Sequence, residues 1–209
     1  MGARIVNEIT PQADAEGLAT TQTLAGAGFV TLNGNLIVNN VWTAINAAQK
    51  IVIDSAGNDL GVIFTITGTD SRGLGITESI AGGNGSSVVT ENYFKTVTSI
   101  AASAATASTI TVGLNGLCCS DWVIFNTGAI IDIGLFISLS SGANLVYSVE
   151  HTPDDVNSKQ TTFNTFLHDE LANKNTSEDG NYAFPAYAYR VITSAYSSGT
   201  LTFTSIQAF

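Results

Sequence analysis

The chain has 209 residues, 44% hydrophobic and only 11% charged, whereas an ordinary soluble domain carries roughly 25% charged residues. Thr, Ser, Asn, Ala and Gly replace the missing charge, giving a surface suited to a permanent assembly, where long charged side chains are costly to desolvate. Acidic residues outnumber basic ones 17 to 7 and no basic cluster occurs, which excludes the cationic surface that nucleic acid or an anionic membrane requires.

The segment 1–25 lacks a clear hydrophobic period, and Thr10-Pro11-Gln12 reads as an extended or turn element. It is expected to be an extended N-terminal arm that orders against a neighbouring subunit. Its first residues contain no apolar run of the kind a secretory signal needs. Ala44 to Ala48 is too short for an independent helix. Strand signals then follow one another. Ile51-Val52-Ile53 precedes the turn residues Asp54 to Asp59. Val62, Phe64 and Ile66 alternate with Thr65 and Thr67, and Ile63 interrupts the pattern. Gly68 to Gly73 supplies turn chemistry before Ile76, Glu78 and Ile80 resume a period of two, which predicts a hairpin with a multi-residue loop. Val88-Val89, Tyr93 to Ile100 and Thr109 to Val112 complete the first series.

A second series starts at Trp122. Trp122 to Phe125, Ile130 to Leu139, Leu145 to Val149, Tyr187 to Ile192 and Leu201 to Ile206 are strand candidates, with Leu145, Tyr147 and Val149 on one face. The apolar stretch Ala129 to Leu139 is too short to span a bilayer. Phe163, Phe166, Leu167 and Leu171 repeat every three to four residues, so Thr161 to Leu171 is expected as a short helix or an ordered loop. The predicted fold is all-β, β-sandwich or jelly-roll-like, with two small β domains over 26–116 and 117–209 and a boundary within Gly113 to Asp121.

Chemistry-bearing motifs are sparse. Cys118 and Cys119 are adjacent, a spacing that strains any disulfide between them, so both are expected as structural thiols at the domain junction. His151 lies near Glu150, Asp154 and Asp155, and His168 precedes Asp169 and Glu170. These neighbours would allow acid–base or metal chemistry only with the right geometry. Asp154, Asp155 and Asn157, like Asp54, Asn58 and Asp59, could offer oxygens to calcium, but neither stretch has the spacing of an EF-hand loop. No Ser is framed as a nucleophile elbow, and Gly82 to Gly85 lacks the Lys-Ser/Thr of a phosphate loop. The expectation is a protein without enzymatic activity, catalytic residues, cofactor or metal. Among the aromatic residues, Trp42, Tyr182, Phe184, Tyr187 and Tyr189 are the candidate interface, and a sugar-binding platform is the alternative use of such rings.

Several stretches carry a resemblance. Ile53-Asp54-Ser55-Ala56-Gly57-Asn58-Asp59, Phe64-Thr65-Ile66-Thr67-Gly68-Thr69-Asp70, Thr77-Glu78 and Tyr93-Phe94-Lys95-Thr96-Val97-Thr98-Ser99-Ile100 resemble a pattern of tailed-bacteriophage virion structural proteins. So do Gly26-Ala27-Gly28 through Leu32-Asn33-Gly34. Val149-Glu150-His151-Thr152-Pro153-Asp154-Asp155, Ala188-Tyr189-Arg190 and the final Thr-rich strand resemble the second half of the same proteins. The resemblance covers most of the chain beyond residue 25 and carries no catalytic signature. It implies a location in the virion after assembly in the host cytoplasm, closest to capsid cement or decoration proteins. The implied partners are the major capsid protein or other virion proteins, together with copies of the chain itself, a trimer being favoured. A neck, tail or baseplate component, or a carbohydrate- or receptor-binding module, is the alternative.

Overall fold

The computed structural model describes residues 3–125, 132–160 and 162–207. The fold is all-β and β-sandwich-like; among the described residues 59% are in strands, none is in a helix, and the sheets are antiparallel. The chain divides into two compact units: Gln12–Gly116, and Met1–Pro11 together with Leu117–Phe209. It therefore passes between units twice, at Pro11–Gln12 and at Gly116–Leu117.

The first strand, β1 (Ala3–Ile9), belongs to the unit that holds the C-terminal half. The Gln12–Gly116 unit begins with β2 (Ala13–Gln22), followed by the short strands β3 (Gly28–Phe29), β4 (Ile37–Val38) and β5 (Val41–Thr43). Longer strands follow: β6 (Ala48–Asn58), β7 (Ile63–Thr69), β8 (Gly75–Ala81), β9 (Asn84–Val89) and β10 (Thr96–Ala102). β11 (Ile110–Cys119) contains the division between the units. One sheet of this unit runs β4-β5-β10-β7-β8 with β3 beside β10; the other joins β9, β6 and β11, with β2 beside β11. The alternation in the sequence decides which side chains meet between them. Phe64 and Ile66 of β7, Trp42 of β5 and Ile100 of β10 face Ile51 and Ile53 of β6 and Ile110 and Val112 of β11 in one core. Burying each such side chain contributes about 1.5–3 kcal/mol. The expected hairpin is β7–β8, paired from Ile63↔Ala81 to Thr69↔Gly75. In its loop, Asp70 Oδ1 accepts the backbone N–H groups of Arg72 and Leu74, and Gly73 takes a positive φ of 79°, a conformation that glycine adopts without steric cost.

The remaining strands are β12 (Val123–Ile124), β13 (Ile133–Leu139), β14 (Asn144–Thr152), β15 (Phe166–Leu167), β16 (Glu178–Tyr182), β17 (Ala188–Ser198) and β18 (Leu201–Gln207). In this unit one sheet has the order β1-β18-β13-β16. A second joins β15, β14 and β17, with β12 and Cys119 also paired to β17. Its core takes Ile133, Leu135 and Ile137 from β13, Tyr147 and Val149 from β14, and Leu201 and Phe203 from β18. Of the strand expected over Ile130 to Leu139, the residues Ala129 to Ile131 beside and within it lie outside the described residues, as does Thr161 of the expected helix or loop.

Two expectations are corrected. The segment 1–25, expected as an arm, supplies two strands of the chain's own sheets. β1 pairs with β18 over its whole length, from Ala3↔Gln207 to Ile9↔Leu201, and Ile9 is buried. β2 pairs with β11 through two register shifts and buries three successive residues, Gly17, Leu18 and Ala19. A bulged strand presents no period of two, which is why the pattern is hidden in the sequence. Gly113 of β11 makes this pairing possible, because a Cβ there would lie 1.9 Å from the carbonyl oxygen of Asp14. The helical alternative for Thr161 to Leu171 is also set aside. Phe166 and Leu167 form β15 against His151 and Glu150, and Leu171 alone of the spaced residues is fully buried.

Candidate functional site

The described histidines meet at one rim of the C-terminal unit. β14 carries Glu150 and His151 next to each other, and β15 places Leu167 opposite Glu150 and Phe166 opposite His151. β16 contributes Asn181 and Tyr182, and the chain turns there to expose Phe184. The loop after β15 brings in His168, Asp169 and Glu170. Of these, His151, Leu167, His168, Asp169, Glu170, Asn181 and Phe184 line a cleft of 220 Å³.

Tyr182 is the hub beneath it. Its ring centroid lies 4.8 Å from His168, 5.3 Å from His151 and 5.4 Å from Phe184. Its hydroxyl is 3.2 Å from His151 Nδ1. Burial pushes the phenol above its ordinary pKa, so it stays protonated. His168 is held at both ring nitrogens. Nδ1 faces the backbone N–H groups of Glu170 at 3.2 Å and Leu171 at 3.3 Å, and so acts as acceptor. Nε2 then carries the proton toward the carbonyl oxygen of Asn181 at 3.1 Å. His168 therefore pins the loop and leaves no ring nitrogen for a ligand.

His151 differs. Burial first, and the neighbouring His168 second, hold it below its ordinary pKa of 6.5, against the opposing influence of Asp169 and Glu150. On acidification the unfolded chain takes up this proton before the folded chain does. The corresponding stability is complete above the ordinary value and is lost as pH falls from there toward the folded pKa. The thermal midpoint of His151→Gln should accordingly fall less steeply than that of the native chain between about pH 7 and pH 5. Equal slopes in calorimetric scans would remove His151 from the acid response.

Other reactive groups are disarmed. Cys118 is a buried thiol pushed up to about 12 by burial, with Thr193 hydrogen-bonded to it, so no thiolate forms near neutral pH. Both cysteines are thiols rather than a disulfide. Among the described residues, no group of three or more His, Cys, Asp or Glu is placed to hold a metal ion. Beside the cleft, Arg190 Nε lies 2.6 Å from Glu150 Oε1 and its guanidinium carbon 4.3 Å from the centroid of the Trp122 ring.

The candidate interface is redrawn by burial. Trp42 is 1% exposed in the core of the Gln12–Gly116 unit, and Tyr182 and Tyr189 are 0% and 2% exposed among Phe125 and Phe203 of the other unit. These three rings offer nothing to a partner, because the inward positions of their strands carry them into a core. Phe184, 49% exposed, does reach the surface. Tyr187 is partly exposed, and its hydroxyl bonds to Asp155 and Asn157, holding the Asp155 carboxyl below the usual range. Exposed apolar residues outside the candidate set include Phe166 beside the cleft and Phe29, 71% exposed, on the other unit. Phe29 flanks an open groove of 430 Å³ with Val30, Leu32, Asn40, Thr98 and Ser99. Besides His151 and the run His168-Asp169-Glu170, the adjacent Phe166-Leu167 pair is a sequence signal for the cleft rim. The chain matches no family model, no curated protein and no solved structure.

Proposed function

We propose that the protein is a non-enzymatic structural component of a tailed-phage virion, with the role of a capsid cement or decoration protein. The observation that carries this reading is the open groove beside Phe29: an aromatic ring 71% exposed, with the partly buried Leu32 next to it, on a chain with only 11% charged residues. Such a surface gains by being covered in an assembly. A module that binds only the assembled shell stabilises it by mass action, and repetition over a lattice multiplies the effect. The partners on this reading are the major capsid protein or another virion protein, with copies of the chain clustered as a trimer on local symmetry axes. Particles stripped of the protein should release their genome at a clearly lower temperature than complete particles, as followed by dye binding to released DNA. An unchanged release temperature would reject the cement role. Copy number from quantitative mass spectrometry separates a capsid position from the neck, tail or baseplate.

The cleft supports a second reading, host receptor or glycan attachment. Phe166 and Phe184 stand exposed beside Asp169, Glu170 and Asn181, an aromatic and polar mixture of the kind that holds sugars. Lost host adsorption with unchanged genome release would favour it.

A further inference from the structure

We propose that β1 is a self-pairing edge: it continues its sheet into a second copy of the chain across a two-fold axis centred on Val6. The inference stands independently of the virion reading.

β1 is the terminal strand of the order β1-β18-β13-β16, so one side of its backbone faces β18 and no described residue pairs with the other side. Open strand edges attract further strands, and proteins usually guard them with like charges, proline, bulges or covering loops. β16, at the opposite edge, carries the acidic pair Glu178 and Asp179. β1 carries a different pattern, Ala-Arg-Ile-Val-Asn-Glu-Ile. Arg4, Val6 and Glu8 lie on its outer face, opposite Ile206, Thr204 and Thr202 of β18. All three are exposed, and Ile5 is exposed beside them. Arg4 and Glu8 take no part in the Arg72–Asp70 and Arg190–Glu150 ion pairs.

The arrangement is self-complementary. Arg4 and Glu8 sit at equal distances on either side of Val6 and have opposite signs. An antiparallel pairing that sets Val6 against Val6 of the second copy also sets each Arg4 against Glu8 of the second copy, and each Ile5 against Asn7. Directly opposed residues share a sheet face, so both new ion pairs form on the solvent side. Neighbouring registers lose this match. A slip of one residue turns the outer set toward the core face, and a slip of two sets Arg4 or Glu8 against Val6. The charge pattern therefore selects one register and one symmetry, an isologous contact. The joined sheet would also carry Val6, Ile206 and Phe136, which lie in adjacent cross-strand rows of the same face and are all exposed, across the two-fold axis.

The test uses the full chain and two charge reversals. Arg4→Glu leaves two acids on the strand, and Glu8→Arg leaves two bases, so each variant opposes like charges at both ends of the pairing. Each alone should self-associate about tenfold or more weakly than the native chain in sedimentation equilibrium. An equimolar mixture of the two restores both ion pairs and should associate one to one, and the chain with both reversals should associate as the native chain does. Hydrogen exchange at residues 4–8 should slow in the mixture relative to either variant alone. The proposal is overturned if the native chain sediments as a single copy, if either reversal alone associates as tightly as the native chain, or if the mixture gains nothing over its components. A trimer that survives both reversals unchanged would overturn this pairing while leaving the cement reading intact.

Discussion

Tyr182→Ala is expected to cost about 3–5 kcal/mol in stability, the range for truncating a large buried aromatic residue. Phe184→Ala should cost under about 1 kcal/mol, as surface changes commonly do. The two rings are neighbours in sequence and stand 5.4 Å apart in space, at right angles. Their surroundings differ. Tyr182 is fully enclosed and touches Phe125, His151, His168 and Tyr189. Its removal would open a cavity beneath the cleft, strip His151 Nδ1 of its hydroxyl partner, and uncover the loop that His168 pins. Phe184 has half its surface in water and closes only one side of the cleft. Urea unfolding read on the transition of the C-terminal unit measures both. Equal losses would mean that Phe184 belongs to the core and that the rim has been misassigned. If Phe184→Ala lowers attachment to a partner or host without lowering stability, the cleft is a working surface.

The same contrast shows what the sequence could and could not reveal. Strands with a strong period of two were legible: Phe64 and Ile66 in β7, Leu145, Tyr147 and Val149 in β14, Leu201 and Phe203 in β18 are all inward. β1 was not, because Asn7 shares the inward parity of Ile5 and Ile9 while Val6 points outward with Arg4 and Glu8. β2 was not, because its bulged pairing buries consecutive residues. The aromatic group between Tyr182 and Tyr189 was visible as a group, but strand parity and long-range pairing decide which rings point inward, and neither is written locally. The spacing of Phe163, Phe166, Leu167 and Leu171 mimicked a helix. The backbone groups there are satisfied by β14 and by His168 instead, since His168 N–H donates to the Val149 carbonyl and its ring accepts from Glu170 and Leu171. That His151 and His168 face one cleft follows from the β14–β15 pairing, which no motif announced.

Arg190→Met should destabilise the C-terminal unit by about 3–5 kcal/mol, because it leaves a largely enclosed carboxylate without its partner. Glu150 and Arg190 are directly opposed on β14 and β17. Their side chains are 7% and 16% exposed, and Arg190 Nε meets Glu150 Oε1 at 2.6 Å. The guanidinium is further fixed by the Trp122 face at 4.3 Å and by Cys119 Sγ at 3.5 Å from its Nη1. Little water reaches the pair, so added salt should screen it weakly. The coupled variant Glu150→Leu/Arg190→Met removes both charges and supplies apolar volume in their place. Such exchanges are commonly close to neutral in stability, so the double change should recover most of the loss caused by Arg190→Met alone. A double-mutant cycle by urea unfolding isolates that coupling. A loss from Arg190→Met within the range of about 0–1 kcal/mol typical of surface ion pairs, with no recovery in the double variant, would show that water shields Glu150. The contact would then be a surface pair, and Arg190 would act mainly by packing against Trp122.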